Sequence, residues 1–338
     1  MRTRARHLTV LLLLAGVALI FAAAFATAAS AAIPGSSSSG RFGCAEGATI
    51  ADGVITIPIE VFRYRDYVEP IIQMCFDGKG PYPMALDTGA AESVITTRLA
   101  RRLGLKPDGS SFKIRGAGCT TSAHPYELEG ASVGGIELEG GTVVTVEAPG
   151  KGPQGPMGSL GADVLSRFGA VKIDFGRETV TLGAEEEGPR FKEVKDPPPV
   201  PVALVKKEPE LTVPMRVQTY RGGVFQTVKV KVGSTKPQPW LVDTGSAISV
   251  IEPRVVRGAG LRATGIEPKA VTYCSIVTAP EYVAPSLSFG AGKLIPQTIL
   301  SFKRAALGSA GILSSYSLSR YGSVVLDWPG GELLLGVG

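Results

Sequence analysis

The sequence predicts an all-β fold built as two similar lobes related by a pseudo-two-fold axis. Three observations carry that expectation. The tripeptide Asp-Thr-Gly occurs twice, at Asp87-Thr88-Gly89 and Asp243-Thr244-Gly245, 156 residues apart in a chain of 338. Each copy closes an apolar, strand-like run (Met84–Leu86 and Trp240–Val242) and is followed by a small residue and then a Val-Ile pair. The 43 glycines and 25 prolines suit many short strands and tight turns better than a helical bundle.

A length of 338 residues exceeds one typical domain, so two lobes are the first expectation. The net charge of +5 is inflated by Arg2, Arg4 and Arg6 at the extreme N-terminus. The remainder is close to neutral and carries no Lys/Arg stripe with interleaved aromatics, which argues against nucleic acid as a partner.

Residues 1–32 read as an export signal. A basic start precedes an apolar stretch from Leu8 to about Ala26, and small residues follow at Ala26-Thr27-Ala28 and Ala29-Ser30-Ala31. The expected location is therefore periplasmic or secreted, with an uncleaved N-terminal membrane anchor as the alternative, since the stretch approaches the roughly 20 residues that span a bilayer. Residues 33–53 form a flexible spacer, rich in Pro, Gly and Ser over Ile33–Gly43. Export permits disulfides. Of the four cysteines, Cys44 and Cys75 would staple the N-terminal segment to the first lobe. Cys119 and Cys274 would then pair or stay free; they follow their respective aspartates by 32 and 31 residues.

The first lobe is expected over 54–183. Val54–Phe62 and Ile71–Phe76 are strand-like, and Met84–Leu86 leads into the first Asp-Thr-Gly turn. Ser93-Val94-Ile95 returns as a strand. Thr97–Leu103 then reads as a short helix, with Leu99, Ala100 and Leu103 on one face and Gly104 as its stop. Phe112–Ile114 with Gly116-Ala117-Gly118 suggests a hairpin. Strand-like Val133–Ile136 and Val143–Val146 follow, then Ser159-Leu160-Gly161, a short helix around Ala162–Phe168, and the strand pair Val171–Phe175 and Thr179–Leu182. Residues 184–210 change character, with Glu185-Glu186-Glu187, Pro197-Pro198-Pro199 and Lys206-Lys207, and read as a linker.

The second lobe, 211–338, repeats the first. Leu211–Val217 and Thr227–Val232 are strand-like, Ile248–Ile251 answers Ser93–Ile95, and Val324–Trp328 with Glu332–Leu335 answers Val171–Leu182. Gly308-Ser309-Ala310-Gly311 aligns with Gly158-Ser159-Leu160-Gly161. The pattern is that of an internal duplication.

A carboxylate on such a turn has a definite chemistry when two copies face each other. Gly89 and Gly245 let the backbone turn and approach a partner closely. The hydroxyls of Thr88 and Thr244 can bond across to the opposite turn, and Ala90 and Ser246 are small enough not to crowd the site. Two carboxylates within hydrogen-bonding distance cannot both ionise cheaply, so one retains its proton. The ionised member can take a proton from water while the protonated one polarises an amide carbonyl.

On these motifs the chain resembles the aspartic protease superfamily, and specifically retropepsin-like proteases duplicated within one chain. The resemblance spans about Val54–Leu182 and Leu211–Gly336. It implies pepsin-like β-barrel lobes, with short helices after each Asp-Thr-Gly strand pair and near each lobe's end. It also implies an endopeptidase with Asp87 and Asp243 as the catalytic pair and Thr88 and Thr244 interlocked beneath them. In that family an apolar-apolar-Gly element packs behind the active-site loop. Leu160-Gly161 and, less regularly, Ala310-Gly311 would supply it. Gly116 and Gly118 would belong to a flap, with Tyr126 and Tyr273 as the two flap tyrosines to consider. No metal or other cofactor is implied. The partner would be a peptide or unfolded protein, and one chain, as a monomer, would hold a complete site between its lobes.

The rival reading is an exported peptide-binding or structural protein that uses the same groove without cleaving. His124 is the only histidine outside the N-terminal segment, which excludes histidine triads and multi-histidine metal sites. Nucleotide-loop and Gly-x-Ser-x-Gly motifs do not occur.

Overall fold

The structure is a computed structural model that describes residues 21–22, 43–44, 47–51, 54–138, 140–147, 155–183, 210–220, 223–294, 296–303 and 309–337. Nearly all of the expected export signal, most of the spacer and almost all of the 184–210 linker lie outside the described residues. Among the described residues no helix is long and apolar enough to cross a membrane.

Short strands dominate, and a sheet shared by both halves joins them. Its six central strands run Val54–Pro58, Thr179–Gly183, Ala170–Asp174, Ser323–Asp327, Glu332–Leu335 and Leu211–Tyr220, three from each half of the chain. The two middle strands pair antiparallel, with Ala170 opposite Asp327 and Asp174 opposite Ser323. All five residues of each are buried. Val324–Leu326 reads as a continuous apolar run, as a strand covered on both faces does, whereas Val171–Asp174 alternates and still buries Lys172 and Asp174.

Each half then wraps its own strands around the Asp-Thr-Gly turn. In the first lobe, Lys79–Leu86 lies parallel to Gly158–Leu160, which pairs antiparallel with Val94–Thr96. In the second, Gln238–Asp243 lies parallel to Gly311–Ser314, which pairs antiparallel with Val250–Ile251. Two helices follow in each lobe, at matching places. Helix α1 (Thr97–Leu103) starts under Thr96, whose hydroxyl accepts from the Leu99 amide at 3.2 Å, and stops at Gly104 with φ +77°. A later short helix, α2 (Ala162–Leu165), continues as a single 3-10 turn to Phe168. Helix α3 (Pro253–Ala259) opens on a proline and ends at Gly260 with φ +61°, and α4 (Ser315–Ser319) answers α2.

The lobes repeat each other down to single hydrogen bonds. The Val68 amide donates to Ala247 O at 3.1 Å, and the Val224 amide donates to Ala91 O at 3.3 Å. Donors and acceptors are each 156 residues apart, the same offset as the two aspartates.

The alignment near the end of the second lobe is corrected by three residues. Met157 N donates to Pro83 O and Ala310 N to Pro239 O, both at 2.7 Å, so Ala310-Gly311 stands where Met157-Gly158 does. The element matching Leu160-Gly161 is Leu313-Ser314, because Leu160 pairs with Leu86 and Leu313 with Val242. Gly311 is required at its own place: a Cβ there would lie 2.6 Å from the Trp240 ring.

Two disulfides are present, Cys44–Cys75 and Cys119–Cys274. The first ties the segment before Val54 to the strand Tyr67–Phe76. The second joins the tips of two hairpins, one from each lobe. Phe21–Ala22 pairs with Ala270-Val271 along the outer edge of the second hairpin.

Candidate active site

The two Asp-Thr-Gly turns meet face to face between the lobes, and every residue from Asp87 to Ala90 and from Asp243 to Ser246 is buried. The threonines are reciprocally bonded. Thr88 N donates to Thr244 Oγ1 and Thr244 N donates to Thr88 Oγ1, both at 3.1 Å. The hydroxyls in turn donate across the boundary, Thr88 to Val242 O at 3.1 Å and Thr244 to Leu86 O at 2.7 Å. Four buried bonds thus fix the two turns to each other, and each would leave an unsatisfied buried group if its partner were removed.

The glycines are needed because each lies against the opposite carboxylate. A Cβ on Gly89 would fall 2.2 Å from Asp243 Cγ, and one on Gly245 would fall 2.1 Å from Asp87 Cγ. No side chain fits there without moving an aspartate. The small residues after the glycines orient the carboxylates through their amides. Gly89 N and Ala90 N donate to Asp87 Oδ1 at 3.1 and 3.0 Å, and Ser246 N donates to Asp243 Oδ1 at 2.9 Å.

Burial pushes Asp87 up to about 7, against hydrogen bonds from Asp243, Tyr273 and the amides of Ala90 and Gly89 that pull the other way. A buried carboxyl beside a second one therefore holds its proton over much of the acid range.

Support comes from residues that the motif alone does not reveal. Ser93 and Ser249 stand six residues after their aspartates. Gly161 N donates to Ser93 Oγ at 2.9 Å, and Ser314 N donates to Ser249 Oγ at 3.2 Å. The Ser-Val-Ile shared by both halves was the available signal for them. The two sites then differ. A Cβ at Gly161 would lie 2.7 Å from Asp163 Oδ1 and 2.9 Å from Glu92 C. At the second site the Ser314 side chain is accommodated instead, 3.0 Å from Ser249 Oγ, which also sits 2.8 Å from Ser317 Oγ. In the first lobe Ser93 Oγ donates to Asp163 Oδ1 at 2.8 Å. Burial raises Asp163 and pushes Glu92 up to about 7, the Asp163 charge adding to the latter. Beneath the threonines the buried Gln226 amide donates to Thr88 O and to Val242 O, the latter at 2.8 Å. Trp328 Nε1 donates to Gln226 Oε1 at 3.1 Å.

Above the carboxylates lie the tips of two hairpins. The first lobe contributes Phe112–Gly116 with Cys119–Leu128, which places Gly116 and Gly118 at its tip. The second contributes Lys269–Val271 with Ile276–Thr278. Of the two tyrosines considered, Tyr126 is packed in the main core, and Tyr273 reaches the site. Its hydroxyl donates to Asp87 Oδ2 at 3.2 Å and also bonds Ser159 Oγ. Burial, then the Asp87 charge, raises the Tyr273 hydroxyl well above its ordinary value, which keeps it a donor. His124 is exposed on the first hairpin.

Residues 72–164 match the aspartyl protease family. No curated protein matches the chain. Among solved structures, an aspartic proteinase from Irpex lacteus is similar at 12% identity and a TM-score of 0.47, over 84% of this chain and 98% of that one. Basic 7S globulin from soybean is similar at 9% identity and a TM-score of 0.44, over 85% and 95%. Conglutin gamma from lupine seeds is similar at 9% identity and a TM-score of 0.44, over 83% and 94%.

Proposed function

We propose that this chain, whose first lobe belongs to the aspartyl protease superfamily, is an exported aspartic endopeptidase that cleaves peptide bonds between Asp87 and Asp243. The observation that carries this reading is the reciprocal approach of the two turns: each glycine abuts the opposite carboxylate while the threonines bond across. That arrangement forces two carboxyls into one buried site, where they share a proton. Asp87, which burial pushes upward, is the member suited to keep it. The protonated carboxyl polarises the scissile carbonyl, and the ionised one takes a proton from the attacking water. The tetrahedral adduct then collapses as the leaving nitrogen is protonated, with no covalent intermediate.

One chain suffices for a whole site, because both halves of the shared sheet and both aspartates come from it. The substrate class is an extended peptide or unfolded protein. Export is supported by the basic-then-apolar N-terminus and by two disulfides, which oxidising compartments preserve. On this reading 1–32 is the signal, 54–183 and 211–338 are the lobes, and 33–53 and 184–210 are connecting segments.

The second reading, a peptide-binding protein that does not cleave, is favoured by one feature: both carboxylates are fully buried beneath Tyr273 and the hairpin tips. Incubating the purified chain with unfolded β-casein from pH 3 to 8, oxidised and reduced, separates the two. Cleavage under any of these conditions supports the endopeptidase; none under all of them supports the binding protein.

A further inference from the structure

We infer that the Cys119–Cys274 disulfide is a thiol-exchange lock that holds both flaps shut over the aspartate pair, and that a dithiol reductant opens them. The inference concerns the regulation of the proposed protease site and rests on that reading for its consequence, though not for its mechanics.

The two hairpin tips are exchanged between the lobes. Ala117, on the first, is buried with Ile248, Val250, Leu300 and Phe302 of the second lobe. Its neighbour Gly118 comes so close that a Cβ would lie 3.2 Å from Val277 Cγ2. Tyr273, on the second tip, is buried with Ala85, Ala90, Val94 and Val144 of the first lobe. Ala117 and Tyr273 each stand 30 residues after the aspartate of their own half, so they are counterparts. Each tip therefore caps the other lobe, and an extended polypeptide could reach Asp87 and Asp243 only if both tips lifted. The disulfide keeps the tips from parting, so no chain can pass between them. It joins the tips across the boundary with Cα atoms 6.0 Å apart, and Cys119 Sγ also lies 3.3 Å from Thr272 Oγ1.

The second flap is anchored at its base, where Ala270 and Ala279 are buried with Ile248, Val250 and Leu300 of its own lobe. Among the described residues the flap's strands pair with each other and with Phe21–Ala22, in a sheet separate from the two large ones. A ribbon of three residue pairs is marginal unaided. Beyond that base, the tip contacts and the sulfur bridge are what hold the ribbon down.

The bridge is also the more accessible of the two. Cys119 and Cys274 are both partly exposed, whereas in the other disulfide Cys44 is partly exposed but Cys75 is 3% exposed. A thiolate must reach a sulfur to begin exchange; the flap bridge offers two partly exposed cysteines to attack and the other bridge offers Cys44 alone, which favours Cys119–Cys274. One thiolate of the dithiol attacks a bridge sulfur, forming a mixed disulfide and expelling the other cysteine as thiolate. The second thiol of the reductant resolves the mixed disulfide. Two electrons and two protons pass to the chain, Cys119 and Cys274 end as thiols, and the reductant leaves as its own disulfide.

The test uses the intact purified chain, oxidised or treated with dithiothreitol, together with the Cys119→Ser/Cys274→Ser variant. Amide hydrogen exchange is read over Gly116–Thr120 and Val271–Ile276, and over Ala170–Asp174 as a control for folding. Differential alkylation reports which cysteines are reduced. We expect Cys119 and Cys274 to be alkylated before Cys44 and Cys75. Flap exchange should rise at least tenfold on reduction, while the central strand is unchanged. β-Casein cleavage should appear with it, and in the double variant without reductant. Flap exchange that is the same with and without the bridge overturns the lock, as does equal cleavage by oxidised and reduced chain. Flaps that open without any cleavage keep the lock and remove the endopeptidase. A double variant that fails the Ala170–Asp174 control leaves the decision to the reduction arm on wild-type chain.

Discussion

The Tyr273 hydroxyl, carried on the second lobe, donates to Asp87 Oδ2 on the first at 3.2 Å and at the same time bonds Ser159 Oγ. One side chain thus connects a flap tip, an aspartate and the strand beside it. Replacing Tyr273 by Phe removes both bonds and leaves Ser159 buried without this partner, a cost of about 1–3 kcal/mol. It also removes a hydrogen bond that lowers the Asp87 pKa. Carboxyl-carbon NMR titration of the oxidised chain should therefore show Asp87 ionising above about 7 in the variant. A downward shift would contradict the assignment of Tyr273 as donor.

The reciprocal threonines predict a particular mutational pattern. Thr88→Ala and Thr244→Ala each leave the opposite amide unsatisfied, and each should cost about 1–3 kcal/mol in urea unfolding. The double variant should cost less than their sum, because both singles break the same pair of turns. Thr88→Ser keeps the hydroxyl and should fall much less. Strict additivity would mean that the two turns are not coupled.

The glycines separate close approach from backbone freedom. Gly89→Ala and Gly245→Ala push a methyl into the opposite carboxylate and should each lower kcat/KM at least about 100-fold, by displacing a reacting group. Gly258→Ala, on α3 with nothing within 4 Å of the added Cβ, should instead stabilise the chain by up to about 1 kcal/mol. Near-normal activity in Gly245→Ala would contradict the site geometry.

Burial holds Asp87, Glu92 and Asp163 above the ordinary carboxylate range. Between about pH 4 and pH 7 the folded chain therefore binds more protons than the unfolded one. This contribution to stability is complete below the unfolded values near 4 and is lost as pH rises through about 7. The thermal midpoint should be higher at pH 4 than at pH 8, and Glu92→Gln should narrow the difference. A midpoint that rises steadily from pH 4 to pH 8 would refute the assignment.

Much of this was legible in the sequence because it is local. The aspartates, their glycines, α1 with its Gly104 stop, and the 156-residue repeat each declare themselves within a few residues or by one fixed offset. The register slip at Ala310-Gly311 arose where local signals conflict: Ser314 occupies the place of Gly161, so the glycine at 311 attracted the alignment. Only the parallel pairing of Leu313 with Val242 decides it. Gln226 and Trp328 were invisible for another reason. They act across 138 and 102 residues on backbone and side-chain groups, and Gln226 corresponds to Pro70, so the repeat does not mark it. The Cys119–Cys274 bond likewise depends on the tips meeting, which spacing alone does not encode.

The central claim, that Asp87 and Asp243 form one water-activating pair, is tested most directly by β-casein cleavage with Asp87→Asn and Asp243→Asn, each compared with reduced wild-type chain. The account predicts that both substitutions abolish cleavage while thermal unfolding still shows a folded protein. Cleavage that persists in either variant would contradict it.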